Sequence, residues 1–265
     1  MKTIFITGAS TGLGRATAFL FQSKGWRVIA TMRNPQNETE LTSLDNVTLL
    51  PLDVTNPAQI EATVQQAVAT GAIDVVFNNA GYGLVGPMEA ITDEQLAAQI
   101  DTNLMGVMRV SRAFISHLRT QGYGLILITT SIGGLVSFPL SSVYHATKWA
   151  LEGWAESMSF ELGLHNIGIK TIAPGGIVTD FMTRSLQPAS HPAYNEGMDK
   201  LMALFDGDTF STAQQIADVV YEAATDGKDQ VRYVAGEDAK ALYARRNEVG
   251  NEVFRQEMGH NIFQN

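Results

Sequence analysis

A doubly wound α/β fold, a parallel sheet of about seven strands with helices on both faces, is the class this sequence predicts. Three observations predict it. Seven short apolar runs alternate with longer stretches of helical periodicity. The runs are near-continuous hydrophobics, as expected of strands covered on both faces. The connections are short, so each strand–helix–strand unit reads as a crossover that keeps neighbouring strands parallel. Residues 1–265 are read as one domain.

The elements follow in order. Thr3–Thr7 is the first strand, and Gly12–Lys24 a helix with Ala16, Leu20 and Phe21 at helical spacing, ended by Gly25. Strands follow at Arg27–Thr31 and Val47–Leu52, then a helix over Asn56–Thr70 that Thr55 or Asn56 caps ahead of Pro57. Strands at Ile73–Asn78 and Gly124–Thr130 flank one long helix, Thr92–Thr120. A second long helix, Ser142–His165, precedes the strand Ile167–Ala173. Residues 174–210 are the least regular stretch, with Met182, Met198, Leu201, Met202 and Phe205 among polar residues, and are read as a substrate lid. A helix over Thr212–Thr225 and a strand at Gln230–Val234 complete the pattern. The remainder, 236–265, is read as a helical tail that closes either its own pocket or a neighbour's.

Composition narrows the partners. Eighteen basic residues against 27 acidic ones give a net charge of −9 without a basic run, which disfavours nucleic acid and anionic membranes. Zero cysteines exclude disulfides, thiolate metal sites and cysteine nucleophiles. None of the five histidines has metal-ligand spacing, so no metal site is expected. No run approaches the ~20 apolar residues of a membrane span, and the first residues lack a secretory apolar region. The cytoplasm is the expected location, and the sequons at Asn37 and Asn46 are read as chance.

Function enters at the first strand–helix junction. Thr7-Gly8-Ala9-Ser10-Thr11-Gly12-Leu13-Gly14 spaces its glycines GxxxGxG. Glycine permits the tight turn and removes Cβ where a cofactor backbone must approach. The helix start then offers unpaired N–H groups to a pyrophosphate. Asn78-Asn79-Ala80-Gly81 ends the fourth strand, where small residues let a ribose approach. Pro174-Gly175-Gly176-Ile177-Val178-Thr179 follows the sixth strand and is placed to wrap a nicotinamide.

Tyr144-His145-Ala146-Thr147-Lys148 puts a phenol and an ammonium one helical turn apart, on one face. A free tyrosine titrates near 10 and is a weak catalyst at neutral pH. A lysine cation and an oxidised nicotinamide both favour the phenolate. Ser131 ends the fifth strand, where its hydroxyl can donate to a carbonyl oxygen gaining negative charge. Asn103 can hold a water beside the lysine. His145 faces elsewhere on the helix and is read as packing or surface. Trp149 and Trp154 are read as core or subunit contacts.

These pieces, TGASTGLG, NNAG, Asn103, Ser131, YHATK and PGGIVT, stand in the order found in the short-chain dehydrogenase/reductase family. The chain resembles its single-domain branch from Thr7 to Thr179. The resemblance implies that Tyr144 is the general acid/base, that Lys148 lowers its pKa and binds the nicotinamide ribose, that Ser131 polarises the carbonyl and that Asn103 supports a proton relay. It implies cofactor contacts from Gly8, Ser10, Thr11, Gly12, Leu13, Gly14, Asp53, Val54, Asn79, Ala80, Gly81, Pro174, Gly175, Ile177 and Thr179. It also implies association into a homodimer or homotetramer through the helices Thr92–Thr120 and Ser142–His165.

The second strand selects the cofactor. Where NAD enzymes often carry a carboxylate, this chain has Met32 followed by Arg33. An arginine clamps a phosphate bidentately, so NADP(H) is expected and NAD(H) is the lesser possibility. Thr11, where many NADP-preferring relatives have a basic residue, departs from that pattern. Asp53 resembles an adenine-contacting aspartate and equally suits a cap on the Thr55 turn. The expected reaction is reversible reduction of a ketone or aldehyde, partly apolar because of the methionines in the lid. The rivals are an NAD-linked alcohol dehydrogenase and a cofactor-sensing regulator without turnover.

Overall fold

In a computed structural model that describes residues 1–178, 186–204 and 210–263, the expected sheet is present. Its strands are β1 (Thr3–Thr7), β2 (Arg27–Met32), β3 (Val47–Pro51), β4 (Val75–Asn78), β5 (Gly124–Thr129), β6 (Ile167–Pro174) and β7 (Arg232–Ala235). All pair in parallel, in the order β7-β6-β5-β4-β1-β2-β3. Strand boundaries differ from the expected ones by up to two residues, because backbone pairing, not apolarity, ends a strand.

The pleat sorts the core into two layers. On β1, Ile4 and Ile6 face one layer and Phe5 the other. The first layer packs helices α1 (Gly12–Ser23) and α7 (Ala213–Thr225) through Phe21, Ile216 and Val220. The second packs α2 (Pro57–Ala69), α4 (Val107–Gln121) and α5 (Ser142–Gly163) through Val64, Phe114 and Leu151. Asn56 caps α2, its Oδ1 accepting from the Gln59 N–H at 3.0 Å. The chain leaves β1 toward β3 and then returns to β4 on the other side of β1, so the crevice where ligands bind opens at the carboxyl ends of β1 and β4.

The expected single helix Thr92–Thr120 is instead α3 (Asp93–Ile100), a π-helical turn (Asp101–Gly106) and α4. Apolar spacing continues across the junction, which is why the sequence reads as one rod. Gly106 passes so close to Val54 that a Cβ there would lie 2.9 Å from the Val54 Cγ2. Inserted turns of this type often mark functional sites.

The described residues within 174–210 are more regular than expected. Ile177–Val178 pairs with Ser211–Thr212, Leu186–Pro188 pairs with Gly83–Val85, and Asn195–Leu204 forms α6. Met198 and Leu201 of α6 pack with Val85, Leu140 and Leu186. Met182 and Phe205 lie outside the described residues. The tail is two helices, α8 (Glu237–Val249) and α9 (Asn251–Phe263), broken at Gly250 with φ of 82°. It covers its own chain, with Phe254 packed on Ile132 and Val136, and Ile262 on Leu201.

Away from the crevice, Lys170 on β6 donates to Asp226 Oδ1 at 2.7 Å and to the Ala223 carbonyl at 2.9 Å, and Tyr233 donates to the other Asp226 oxygen. Burial pushes the Asp226 carboxyl up, but the bonds from Lys170, Tyr233 and the Lys228 backbone outweigh it and hold the group at about 2. Asp226→Asn strands a buried ammonium, so a loss of about 3–5 kcal/mol in urea denaturation is expected at pH 7. The folded value lies below the unfolded 3.8, so Asp226 stabilises the fold above pH 3.8 and progressively less as pH falls toward 2. The gap between wild type and variant therefore narrows in acid; a constant gap would exclude this ion pair as its source.

Candidate active site

The crevice is built from strand ends. Thr7 Oγ1, at the end of β1, accepts from the N–H groups of Asn79 at 2.9 Å and Ala80 at 3.0 Å. Asn79 Nδ2 donates back to the carbonyls of Thr7 and Gly8. This lacing brings the two strand ends so close that a Cβ on Gly8 (φ 69°) would lie 2.8 Å from Ala80 Cα. A Cβ on Gly14 would overlap the Gly8 carbonyl oxygen.

Helix α1 starts at this turn. Its N-cap residue Thr11 makes no side-chain capping bond, and the first turn carries no acid. Its leading N–H groups therefore lack the usual side-chain acceptor and suit an anionic group. Beside it opens a cavity of about 920 Å³ whose walls include Ser10, Thr11, Arg15, Met32, Arg33 and Asn34. Arg33 is exposed there and has no ion-pair partner among the described residues. Arg15, which the sequence reading passed over, is tied to Glu38 at 3.0 Å and Glu40 at 3.1 Å. Glu38 Oε1 also accepts from the backbone of Glu40 and Leu41, so that carboxylate is committed to the loop. These features fit an adenine dinucleotide with an additional phosphate.

Asp53 does act as a turn cap, Oδ1 accepting from Thr55 N–H at 2.9 Å and Thr55 Oγ1 at 2.7 Å. Burial pushes its carboxyl up, and the Thr55 bonds with the Arg33 charge bring it below its ordinary value. Val54 is buried beside it. Gly175 and Gly176 meet Asp238 of α8, whose Oδ2 accepts the Gly176 N–H at 2.7 Å. Pro174 ends β6 and Ile177 starts the short strand after it, whereas Thr179 lies outside the described residues.

Three of the four candidate catalytic residues, Ser131, Tyr144 and Lys148, converge at the carboxyl end of β5. Lys148 Nζ donates to the Thr129 carbonyl at 2.8 Å and stands 5.7 Å from the Tyr144 ring centroid. Burial pulls the lysine down to about 8, against Glu152, which favours its charged form. Burial pushes the Tyr144 phenol up, while a hydrogen bond with Ser131 pulls it down; the net shift is upward. Ser131 accepts the Gly133 N–H at 3.0 Å. Asn103, in the π-helical turn, is buried and uses its amide on one backbone segment, accepting from Tyr82 N–H at 3.0 Å and donating to Tyr82 O at 2.8 Å. It therefore holds the Tyr82 segment, with one amide hydrogen and one oxygen lone pair left over for a further partner.

Of the two readings of His145 the packing one holds: it is 6% exposed and bonds to Gly133 and Phe138. Sequence reading missed one buried acid. Glu152 accepts from Thr130 at 2.5 Å, Thr171 at 3.1 Å and Arg232 at 2.8 Å, pinning α5 to β5, β6 and β7. An acid one turn after Lys148 on an otherwise apolar face was the available signal. Trp154 is partly buried in the core, and Trp149 is 40% exposed beneath the Arg246 guanidinium. Among the described residues there is no cluster able to hold a metal, and no helix is long and apolar enough to cross a membrane.

Comparison with known proteins identifies the family. The family described as short chain dehydrogenase matches residues 2–189. An uncharacterized oxidoreductase of Schizosaccharomyces pombe is 35% identical over 235 residues, covering 86% of this chain and 100% of the relative. The crystal structure of a short-chain dehydrogenase from Streptomyces avermitilis, 29% identical, superposes with a TM-score of 0.88 over 98% of this chain and 95% of that one. Two more distant structures share the fold. One from Burkholderia cenocepacia in complex with NADP has 23% identity, a TM-score of 0.80 and coverage of 97% and 99%. One from Burkholderia phymatum in complex with NAD has 24% identity, a TM-score of 0.80 and coverage of 93% and 93%. The chain belongs to the short-chain dehydrogenase/reductase family and is an NAD(P)-dependent oxidoreductase of it.

Proposed function

We propose that this enzyme reduces a ketone or aldehyde to an alcohol with NADPH, reversibly, and that Tyr144 is its general acid. The convergence of Tyr144, Lys148 and Ser131 beside the glycine-turn crevice carries this reading. The bound nicotinamide supplies the hydride equivalent. Ser131 donates to the substrate oxygen, and Tyr144 delivers a proton to that oxygen as its negative charge develops. Lys148, held by the Thr129 carbonyl, stabilises the tyrosinate left behind. Gly8, Ser10, Thr11, Gly12, Leu13 and Gly14 line the pyrophosphate path, Asp53 and Val54 flank the adenine, and Asn79, Ala80 and Gly81 meet the ribose. Residues 174–210 form the lid. Its Met198 and Leu201 cluster with Phe138 and Leu140, and apolar side chains of this kind suit a partly apolar carbonyl compound.

Absorbance at 340 nm, followed with NADPH and NADH against a panel of apolar ketones and aldehydes, tests the reading. NADPH-dependent turnover is expected. Turnover with NADH alone favours the NAD-linked alternative, and binding of NADPH without turnover across the panel favours a sensor.

The same reading includes a homodimer or homotetramer. Trp149 and Phe160 on α5, and Leu164 just past its end, are 40%, 75% and 82% exposed. An assembly larger than a monomer is expected in sedimentation at low micromolar concentration, and Phe160→Glu with Leu164→Glu is expected to dissociate it. A wild-type monomer there overturns the assembly.

A further inference from the structure

His145 follows Tyr144 on α5 and is buried, and neither proton transfer nor cofactor binding employs it. Both ring nitrogens are engaged with backbone. Nδ1 lies 2.6 Å from the Gly133 carbonyl oxygen, and Nε2 accepts the Phe138 N–H at 2.9 Å. Because Nε2 accepts, the ring proton sits on Nδ1 and is donated to Gly133. Burial favours the neutral ring, in keeping with that tautomer.

The contacts run straight to the active hydroxyl. Gly133 donates its N–H to Ser131 Oγ at 3.0 Å, and the Gly134 N–H bonds the Ser131 carbonyl at 2.8 Å. A Cβ on Gly133 would lie 3.0 Å from the imidazole, so glycine is what lets the ring reach this turn. At its other end the imidazole holds Phe138, whose ring centroid is 5.5 Å away and which packs on the cluster with Met198 and Leu201 of α6.

We propose that His145 is a positioning residue for carbonyl reduction: its imidazole staples the Ser131 turn and Phe138 to the helix that carries Tyr144. Serine hydroxyl, phenol and the apolar wall thereby keep one relative placement. The inference rests on the reading of Ser131 and Tyr144 as catalytic groups.

A double-mutant cycle tests it, using His145→Ala and the milder His145→Asn, each alone and with Ser131→Ala. Kd for NADPH is measured alongside kcat and KM. Displacing a catalytic group by about 1 Å can cost on the order of 100-fold. His145→Ala is therefore expected to lower kcat by about 10- to 100-fold, with Kd for NADPH within about threefold. In the Ser131→Ala background the same change is expected to cost less than about threefold, because coupled residues are not additive. Equal losses in both backgrounds, or unchanged kcat in either His145 variant, overturn the proposal. If the alanine variant no longer binds NADPH, the asparagine cycle decides on the same criteria. Undiminished turnover by Ser131→Ala alone instead overturns the catalytic reading beneath it.

Discussion

Tyr144→Phe is expected to lower kcat by about 10²- to 10⁴-fold, the usual worth of a positioned general acid, while NADPH still binds. The phenyl ring keeps its place above Lys148, and only the proton donor and its bond with Ser131 disappear. Stopped-flow or steady-state NADPH oxidation, with fluorescence titration of NADPH as the control, measures both quantities. A variant that turns over within tenfold of wild type would mean that another group protonates the alcohol oxygen. The pH profile carries the same logic. Lys148 loses its proton at about 8, so kcat/KM for reduction is expected to fall as pH rises through that value. The cation that supports the tyrosinate is present below it and gone above it.

Arg33→Asp is expected to cut the ratio of kcat/KM with NADPH to kcat/KM with NADH by about 10- to 100-fold. Hydrogen bonds to charged groups are worth about 1.5–3 kcal/mol, and a carboxylate in the same place repels the phosphate. Arg33 suits the role because it projects at the cavity wall without an ion-pair partner among the described residues, whereas Arg15 is already neutralised by Glu38 and Glu40. Most of the change should appear as a weaker Kd for NADPH, with melting temperature unchanged. An unaltered ratio removes Arg33 as the selector.

The parts that sequence revealed are those whose signal is local. The strands are apolar runs, and Tyr144 and Lys148 are four residues apart on one helix, so their shared face follows from helical pitch alone. Asp53, ambiguous in the sequence, became legible only as a cap once the Thr55 bonds were seen. The bonds that escaped notice go to partners with no sequence identity. His145 bonds a carbonyl and an N–H of the main chain, and any residue supplies those. Asp238 grips the N–H of Gly176 from 62 positions away. Helix α6 hid in a stretch broken by proline, glycine and histidine. The burial of the Tyr144 phenol was hidden for a different reason: it is a property of the whole packed site, which no local stretch of sequence carries.

The wide turn at Asp101–Gly106 also fixes the angular phase of everything after it. Each residue of an α-helix advances the face by about 100°, so excising one residue there to restore ordinary winding would swing α4 by that amount. Val110, Phe114 and Leu118 would leave the sheet, and Asn103 would lose Tyr82 in the same motion. That single surplus residue thus locks the floor of the crevice and the seating of the helix into one decision, and neither can drift without the other.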